Sequence, residues 1–189
     1  MTKRKQPRAI SDPRAIKALA HPARLAVLDA LADGAELTAT ECATVAGISP
    51  SAMSYHLRAL EKWGFVQRAA SSTDGRERPW RGVPGGWTVD ALPNAAAATA
   101  ASAVVYTMLD RLRGDVAAWF EHERDQPEKW RQVGRVQNTT LWLTADETLE
   151  LAELRDEWIS AKKGRIKADH PDGARRVRFT SVVVPVQFE

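Results

Sequence analysis

The chain has 189 residues, of which 44% are hydrophobic, enough to bury the core of one large domain or two small ones and too apolar for disorder throughout. A single cysteine, Cys42, excludes an intrachain disulfide and any metal site built on a cysteine pair. No apolar run approaches the roughly eighteen residues that cross a bilayer, and the basic start MTKRKQPR leads into an amphipathic segment rather than a signal-peptide core, so a soluble cytoplasmic protein without a membrane partner is expected.

The net charge of +3 is unevenly spread. Residues 1–84 hold 13 Lys and Arg against 8 Asp and Glu, whereas residues 85–189 hold 14 against 16. The excess positive charge therefore lies in the first half, as a polyanionic partner would favour.

Helix signals follow one another quickly there. In SDPRAIKALA, Ser11 or Asp12 is the expected N-cap with Pro13 at the first helical position. His21-Pro22 restarts a helix that buries Leu25, Leu28 and Leu31, and Gly34 ends it. Thr38 and Glu41 have capping-box spacing, so TATECATVA reads as a short helix closed by Gly47. Ser49 then caps a helix with Pro50 behind it, in which Met53, Leu57 and Leu60 turn inward with Ile48. Ser51, Ala52, Ser54, Tyr55 and Arg58 are left outside or flanking. That helix ends near Gly64, and FVQRAA and RERPWRGV form a two-stranded hairpin about the Asp74-Gly75 turn. Its arms carry Arg68, Arg76, Arg78 and Arg81. This element order is that of a winged helix-turn-helix, and GVPGGW closes the half.

The phrases LAHPARLAVL and ISPSAMSYHLRALEKWGFV, with the hairpin, resemble the ArsR family of bacterial winged-helix transcriptional regulators over residues 9–90. The resemblance implies a homodimeric repressor that responds to a signal and sets the second helix of each motif in a DNA major groove. The family's best-known metal motif is a close cysteine pair in the helix before the turn. This chain has only Cys42 there, which disfavours heavy-metal sensing through thiols.

The residue types support DNA reading independently. The N-terminal part of a second helix faces base edges, and here it supplies Ser49, Ser51, Ala52, Ser54 and Tyr55, with Arg58 one turn on. Small hydroxyls and an alanine permit close approach, while Tyr55 and Arg58 reach bases or phosphates. The hairpin arginines and the arm at residues 1–8 would release counterions along the backbone or minor groove. Tyr55 packing on a neighbouring helix is the alternative. His56, next to Leu57, reads as a packing residue, and Cys42 as a small core residue. The four histidines, His21, His56, His122 and His170, include no pair at helical spacing. Glu121 and Asp125, flanking His122, would be the only acidic pair to weigh for a divalent ion, and acidic helix ends are usually solvated. No metal or cofactor is expected.

From Asn94 a long alanine-rich helix follows, within residues 91–126. It repeats Ala101, Val105, Met108, Leu112, Val116 and Trp119 at alternating spacings of three and four. Such a stripe needs a partner, either the chain's own C-terminal region or a two-fold copy that sets the spacing of two reading helices. Residues 127–189 then read as a small α+β unit, an effector or dimer-stabilising region. GRVQNTTLWLT alternates as a strand, Thr144 and Glu147 box the helix ADETLELAELRDEWISAKK with Leu151, Leu154 and Trp158 on one face, and ARRVRFTSVVVPVQF closes as a second strand. Trp119, Trp130, Trp142 and Trp158 form either its core or an apolar pocket.

The fold class expected is thus mainly α with a small β component. No G-x-S-x-G, phosphate loop, H-E-x-x-H or Cys–His arrangement occurs, and the carboxylates of the last helix follow its exposed face, so no catalytic residue is assigned. The expectation is a regulator that binds an inverted-repeat operator in double-stranded DNA as a homodimer, its effector unknown. A winged helix that contacts protein instead of DNA is the alternative.

Overall fold

The computed structural model describes residues 8–32, 34–70, 78–83, 87–89, 92–134, 136–162, 165 and 169–186. The elements run β1 (Arg8–Ile10), α1 (Pro13–Leu19), α2 (Pro22–Leu31), β2 (Glu36–Leu37), α3 (Ala39–Ala46), α4 (Pro50–Lys62), β3 (Val66–Arg68), β4 (Trp80–Gly82), β5 (Trp87–Val89), α5 (Ala95–His122), a 3-10 turn (Glu123–Asp125), α6 (Glu128–Arg131) and α7 (Ala145–Ser160). It is a mainly helical fold with small sheets.

Helix starts fall where short polar side chains can accept orphan backbone N–H groups. Asp12 caps α1 through the Arg14 amide at 2.8 Å, and Asn94 caps α5 through Ala97 at 2.9 Å. Thr38 and Glu41 close a full capping box on α3, and Thr144 and Glu147 close another on α7. Between α3 and α4, Gly47 takes φ 65°, the left-handed conformation that a side chain would strain, and donates back to Ala43 and Thr44.

One apolar core holds α1 to α4 against the first half of α5. Ile16, Leu19, Val27, Leu31, Met53, Leu57 and Leu60 are fully enclosed, each large side chain contributing roughly 2 kcal/mol by leaving water. Ala97, Ala100 and Val104 form the buried stripe of α5, and their small size lets α1 lie close along it.

The wing has three strands in the order β2-β4-β3, all antiparallel. The expected hairpin is present as β3 and β4, although its Asp74-Gly75 turn lies outside the described residues. The third strand, β2, enters between α2 and α3. β4 crosses the end of α2 so closely that a Cβ on Gly82 would stand 2.8 Å from the Leu31 carbonyl oxygen, so glycine is required. A second, parallel pair joins β1 to β5 with Arg8 opposite Trp87.

The two C-terminal strands expected from alternation do not form a ladder among the described residues. Alternation specifies two faces but not a partner. Here the arginines of the run around Arg175–Phe179 bond to α2 and α5, and no ladder joins the run to the described residues 136–144. The Leu151, Leu154 and Trp158 face of α7 is correspondingly open to solvent, and so is Trp142 at 89% exposure. Among the described residues no helix is long and apolar enough to cross a membrane.

Candidate nucleic-acid interface

The candidate reading face is built by pinning α4 from behind. Met53, Leu57 and Leu60 have no solvent exposure, and Ile48 packs partly against them, so the opposite side of the helix is fixed outward. Ser49 accepts from the Ala52 amide at 3.3 Å, which sets the first turn and leaves Ser51 exposed and Ala52 half-buried. Ser54 donates its hydroxyl to the Pro50 carbonyl at 2.9 Å. This fixes its oxygen as an acceptor toward the outside. Arg58 lies back along the helix, donating from Nε to the Ser54 carbonyl at 3.2 Å. Tyr55 is 62% exposed, so it stands out from the helix rather than packing into the core. Of the residues expected on this face, Ser51, Ser54, Tyr55 and Arg58 lie together along it, while Ser49 serves as the N-cap.

The wing arginines separate into two kinds. Arg68 stacks its guanidinium 3.8 Å above the Trp80 ring and donates Nη1 to the Arg78 carbonyl at 2.7 Å. It is committed to holding β3 on β4, with cation–π geometry that a phosphate contact would have to share. Arg78 and Arg81 are exposed, with Arg81 opposite Glu36 and Gln67 in the sheet register. Arg76 and residues 1–7 of the arm lie outside the described residues, and Arg8 belongs to β1.

Behind the reading helix is a cluster that the sequence does not announce. His21, the N-cap of α2, accepts from the Ala23 amide at 3.2 Å, and its ring lies 4.3 Å from that of His56 on α4. Arg24 donates Nε to His56 Nδ1 at 3.1 Å and Nη1 to the Ala18 carbonyl at 3.0 Å, and its guanidinium is 5.9 Å from the Tyr55 ring. Burial, and then the Arg24 charge, holds the His21 imidazole below its ordinary pKa. Burial, His21 and Arg24 in turn do the same to His56. His56 is thus a packing residue with a polar partner. The cluster was not visible in the chain, because the fold brings His56 to His21 and Arg24 from 32 or more residues away.

Cys42 is fully buried, and its thiol is pushed up to about 11 by burial and the neighbouring Glu41. Among the described residues no three His, Cys, Asp or Glu side chains are grouped to hold a metal. At the end of α5, His122 Nδ1 is 2.8 Å from the Ala118 carbonyl oxygen.

The long-helix stripe divides along its length. Ala101 and Met108 pack partly on the core of the first half, and Val105 is exposed. Leu112, Val116 and Trp119 face a groove shared with α2 and the chain's own C-terminal run. Trp130 joins Trp119 there, whereas Trp142 and Trp158 do not. The apolar side chains left open on α5 include Tyr106, Leu109 and Phe120, which the heptad-like spacing did not select.

Residues 19–68 match the family described as a helix-turn-helix domain. No curated protein matches the chain. Among solved structures, the chain is similar to the homodimeric winged helix-turn-helix DNA-binding domain of a possible ArsR-family transcriptional regulator from Mycobacterium bovis. That likeness has 25% identity over 58% of this chain and 82% of that one, with a TM-score of 0.33. It is also similar to a MarR family protein from Mycobacterium tuberculosis in complex with salicylic acid, at 20% identity over 78% and 87% of the two chains and a TM-score of 0.31. A mutant of ZitR from Lactococcus lactis gives 16% identity, 75% and 73% coverage and a TM-score of 0.29. The matched segment contains the capped turn and the pinned second helix. The chain carries a helix-turn-helix domain with a three-stranded wing.

Proposed function

We propose that the protein is a sequence-specific duplex DNA-binding transcription regulator, a homodimeric repressor acting on an inverted-repeat operator. The observation that carries this reading is α4, which three enclosed side chains hold so that Ser51, Ser54, Tyr55 and Arg58 face outward beside the exposed Arg78 and Arg81. The helix would read base edges from its N-terminal turns while the wing arginines neutralise phosphates.

A two-fold pairing through α5 would set the distance between the two reading helices, and residues 127–189 would supply effector response or dimer support. The exposed line Val105, Tyr106 and Leu109 favours a contact on that side of α5, in preference to the lower part of the stripe, which the chain's own groove occupies. A signal that shifts α5 would change half-site spacing and lower operator affinity.

The test is enrichment of bound duplexes from a random pool by the purified 189-residue chain at near-physiological salt with competitor DNA. Recovery of a two-fold-symmetric sequence supports the reading and gives the half-site spacing. A folded protein that enriches nothing overturns it, and leaves the winged helix as a protein-contact module.

A further inference from the structure

Beyond the core of the first half, α5 forms one wall of a groove of about 950 Å³ shared with α2 and the C-terminal run. Its apolar lining includes Val116, Trp119, Trp130, Val133 and Phe179, drawn from α5, α6 with the turn after it, and the C-terminal run. A volume of this order suits a small organic molecule with a flat apolar body.

The charged groups of the groove decide which kind. Arg111, Arg175, Arg176 and Arg178 line it against only two carboxylates, Asp29 and Asp115. Both carboxylates are already engaged. Asp29 Oδ2 accepts from Arg111 at 2.7 Å and from Arg178 at 2.8 Å, while Asp115 accepts from Arg178 Nε. The partners of the other two arginines among the described residues are neutral oxygens. Arg175 donates to Gln126 Oε1 at 2.7 Å, and Arg176 donates to the Asp29 carbonyl. Arg175 also lies 4.9 Å from the Trp130 ring, so cationic charge sits directly beside an aromatic wall. Among the described residues, two guanidinium charges therefore remain without a counter-charge at the edge of an aromatic groove.

We propose that this groove is a binding site for a planar aromatic carboxylate, its ring system against Trp119 and Trp130 and its anionic group paired with Arg175. Guanidinium matches a carboxylate in two-pronged geometry, and the excess positive charge rejects cationic and disfavours neutral analogues of the same shape. The site is coupled to the helix-turn-helix through Asp29, which stands on α2 and accepts from both α5 and the C-terminal run. An anion that pairs with Arg175 shifts the C-terminal run that carries Arg178, and so alters that link. This second step rests on the DNA-binding reading, whereas ligand binding itself does not.

The experiment is calorimetric titration of the 189-residue chain, without DNA, using naphthoate, the neutral naphthalenemethanol and the cationic naphthylmethylammonium as probes. Saturable binding of naphthoate, one per chain, is expected to be about ten-fold or more tighter than that of the alcohol, with no binding of the cation. Arg175→Gln, an exposed position that leaves the core untouched, should weaken naphthoate by about ten-fold and leave the alcohol unchanged. Val116→Trp should abolish binding of both while the thermal unfolding midpoint shows the chain folded. Equal affinity for the three probes, indifference to Arg175→Gln, or no binding because a second copy covers the groove each overturns the proposal. A separate mobility-shift assay on the enriched duplex, with and without naphthoate, tests the coupling, so loss of the DNA reading leaves the binding result standing.

Discussion

The rings of His21 and His56 stand with centroids 4.3 Å apart, joining the N-cap of α2 to the inner side of the reading helix α4. The groups facing this pair are Arg24, which donates to His56, and the Tyr55 ring, edge-on at 5.6 Å. Both imidazoles are held below their ordinary pKa, mainly by burial. The unfolded chain, with histidines near 6.5, therefore binds protons more readily than the folded one as pH falls below about 6.5. Stability is full above that pH, declines as pH drops toward the folded pKa values, and levels off from this source below them. Urea unfolding of the parent and of His56→Gln between pH 8 and 4.5 checks this, since subtracting the two removes the carboxylate background. Parallel losses in the two proteins would sink the assignment.

Arg24 holds that cluster together. Arg24→Ala strips a donor from His56 Nδ1 and from the Ala18 carbonyl at the end of α1, and should cost about 1–3 kcal/mol in unfolding free energy. It should also relax the setting of Tyr55, whose ring the guanidinium approaches to 5.9 Å. The measurement is urea unfolding alongside the ratio of specific to non-specific duplex affinity. An unchanged unfolding midpoint would show that the two hydrogen bonds contribute nothing net.

Contacts on the reading face and on the wing should fail differently. Tyr55→Ala is expected to erase discrimination among sequences at a cost of roughly 1–3 kcal/mol on the preferred duplex alone. Arg78→Ala or Arg81→Ala should weaken all duplexes alike and reduce the salt slope by about one. Arg68→Ala, which removes the cap over Trp80, should act mainly through thermal stability. Binding isotherms at several salt concentrations on specific and scrambled duplexes separate the three, and a specificity loss shared equally by Tyr55 and Arg78 variants would overturn the division.

What could be read from the chain is what depends on neighbours in sequence. Asp12, Thr38 with Glu41, Ser49, Asn94 and Thr144 with Glu147 all cap the helices their spacing announces, because a cap needs only three or four consecutive residues. The buried line Met53, Leu57 and Leu60 was equally local, and it fixes which residues of α4 face outward. The two-residue β2 and the parallel β1–β5 pair were not legible, since their hydrogen bonds join segments far apart in the chain. The same holds for His21 with His56 and for Asp29 with Arg178, which no periodicity marks. Alternation in the C-terminal runs suggested two strands that the structure does not show among the described residues, because strand pairing is a property of a partner, and arginines of one run meet α2 and α5 instead.

The open side of α5 bears on assembly. Tyr106 is 71% exposed and Leu109 lies one position short of a full turn beyond it, so the two form an apolar strip that water contacts in the single chain. A second copy related by a two-fold axis would cover the strip on both chains at once, because a two-fold contact uses the same patch twice. Tyr106→Glu with Leu109→Glu would place carboxylates in that contact and should shift sedimentation from dimer to monomer at micromolar concentration. Thermal stability of the single chain should change little, because neither side chain belongs to the core of the first half. Affinity for a full two-fold operator should fall steeply in the same variant, while affinity for an isolated half-site should not, because each reading helix remains intact and only their linkage is lost. A double variant that still sediments as a dimer would move the contact elsewhere on the chain, and a parent protein that is monomeric with and without DNA would remove the two-fold model altogether.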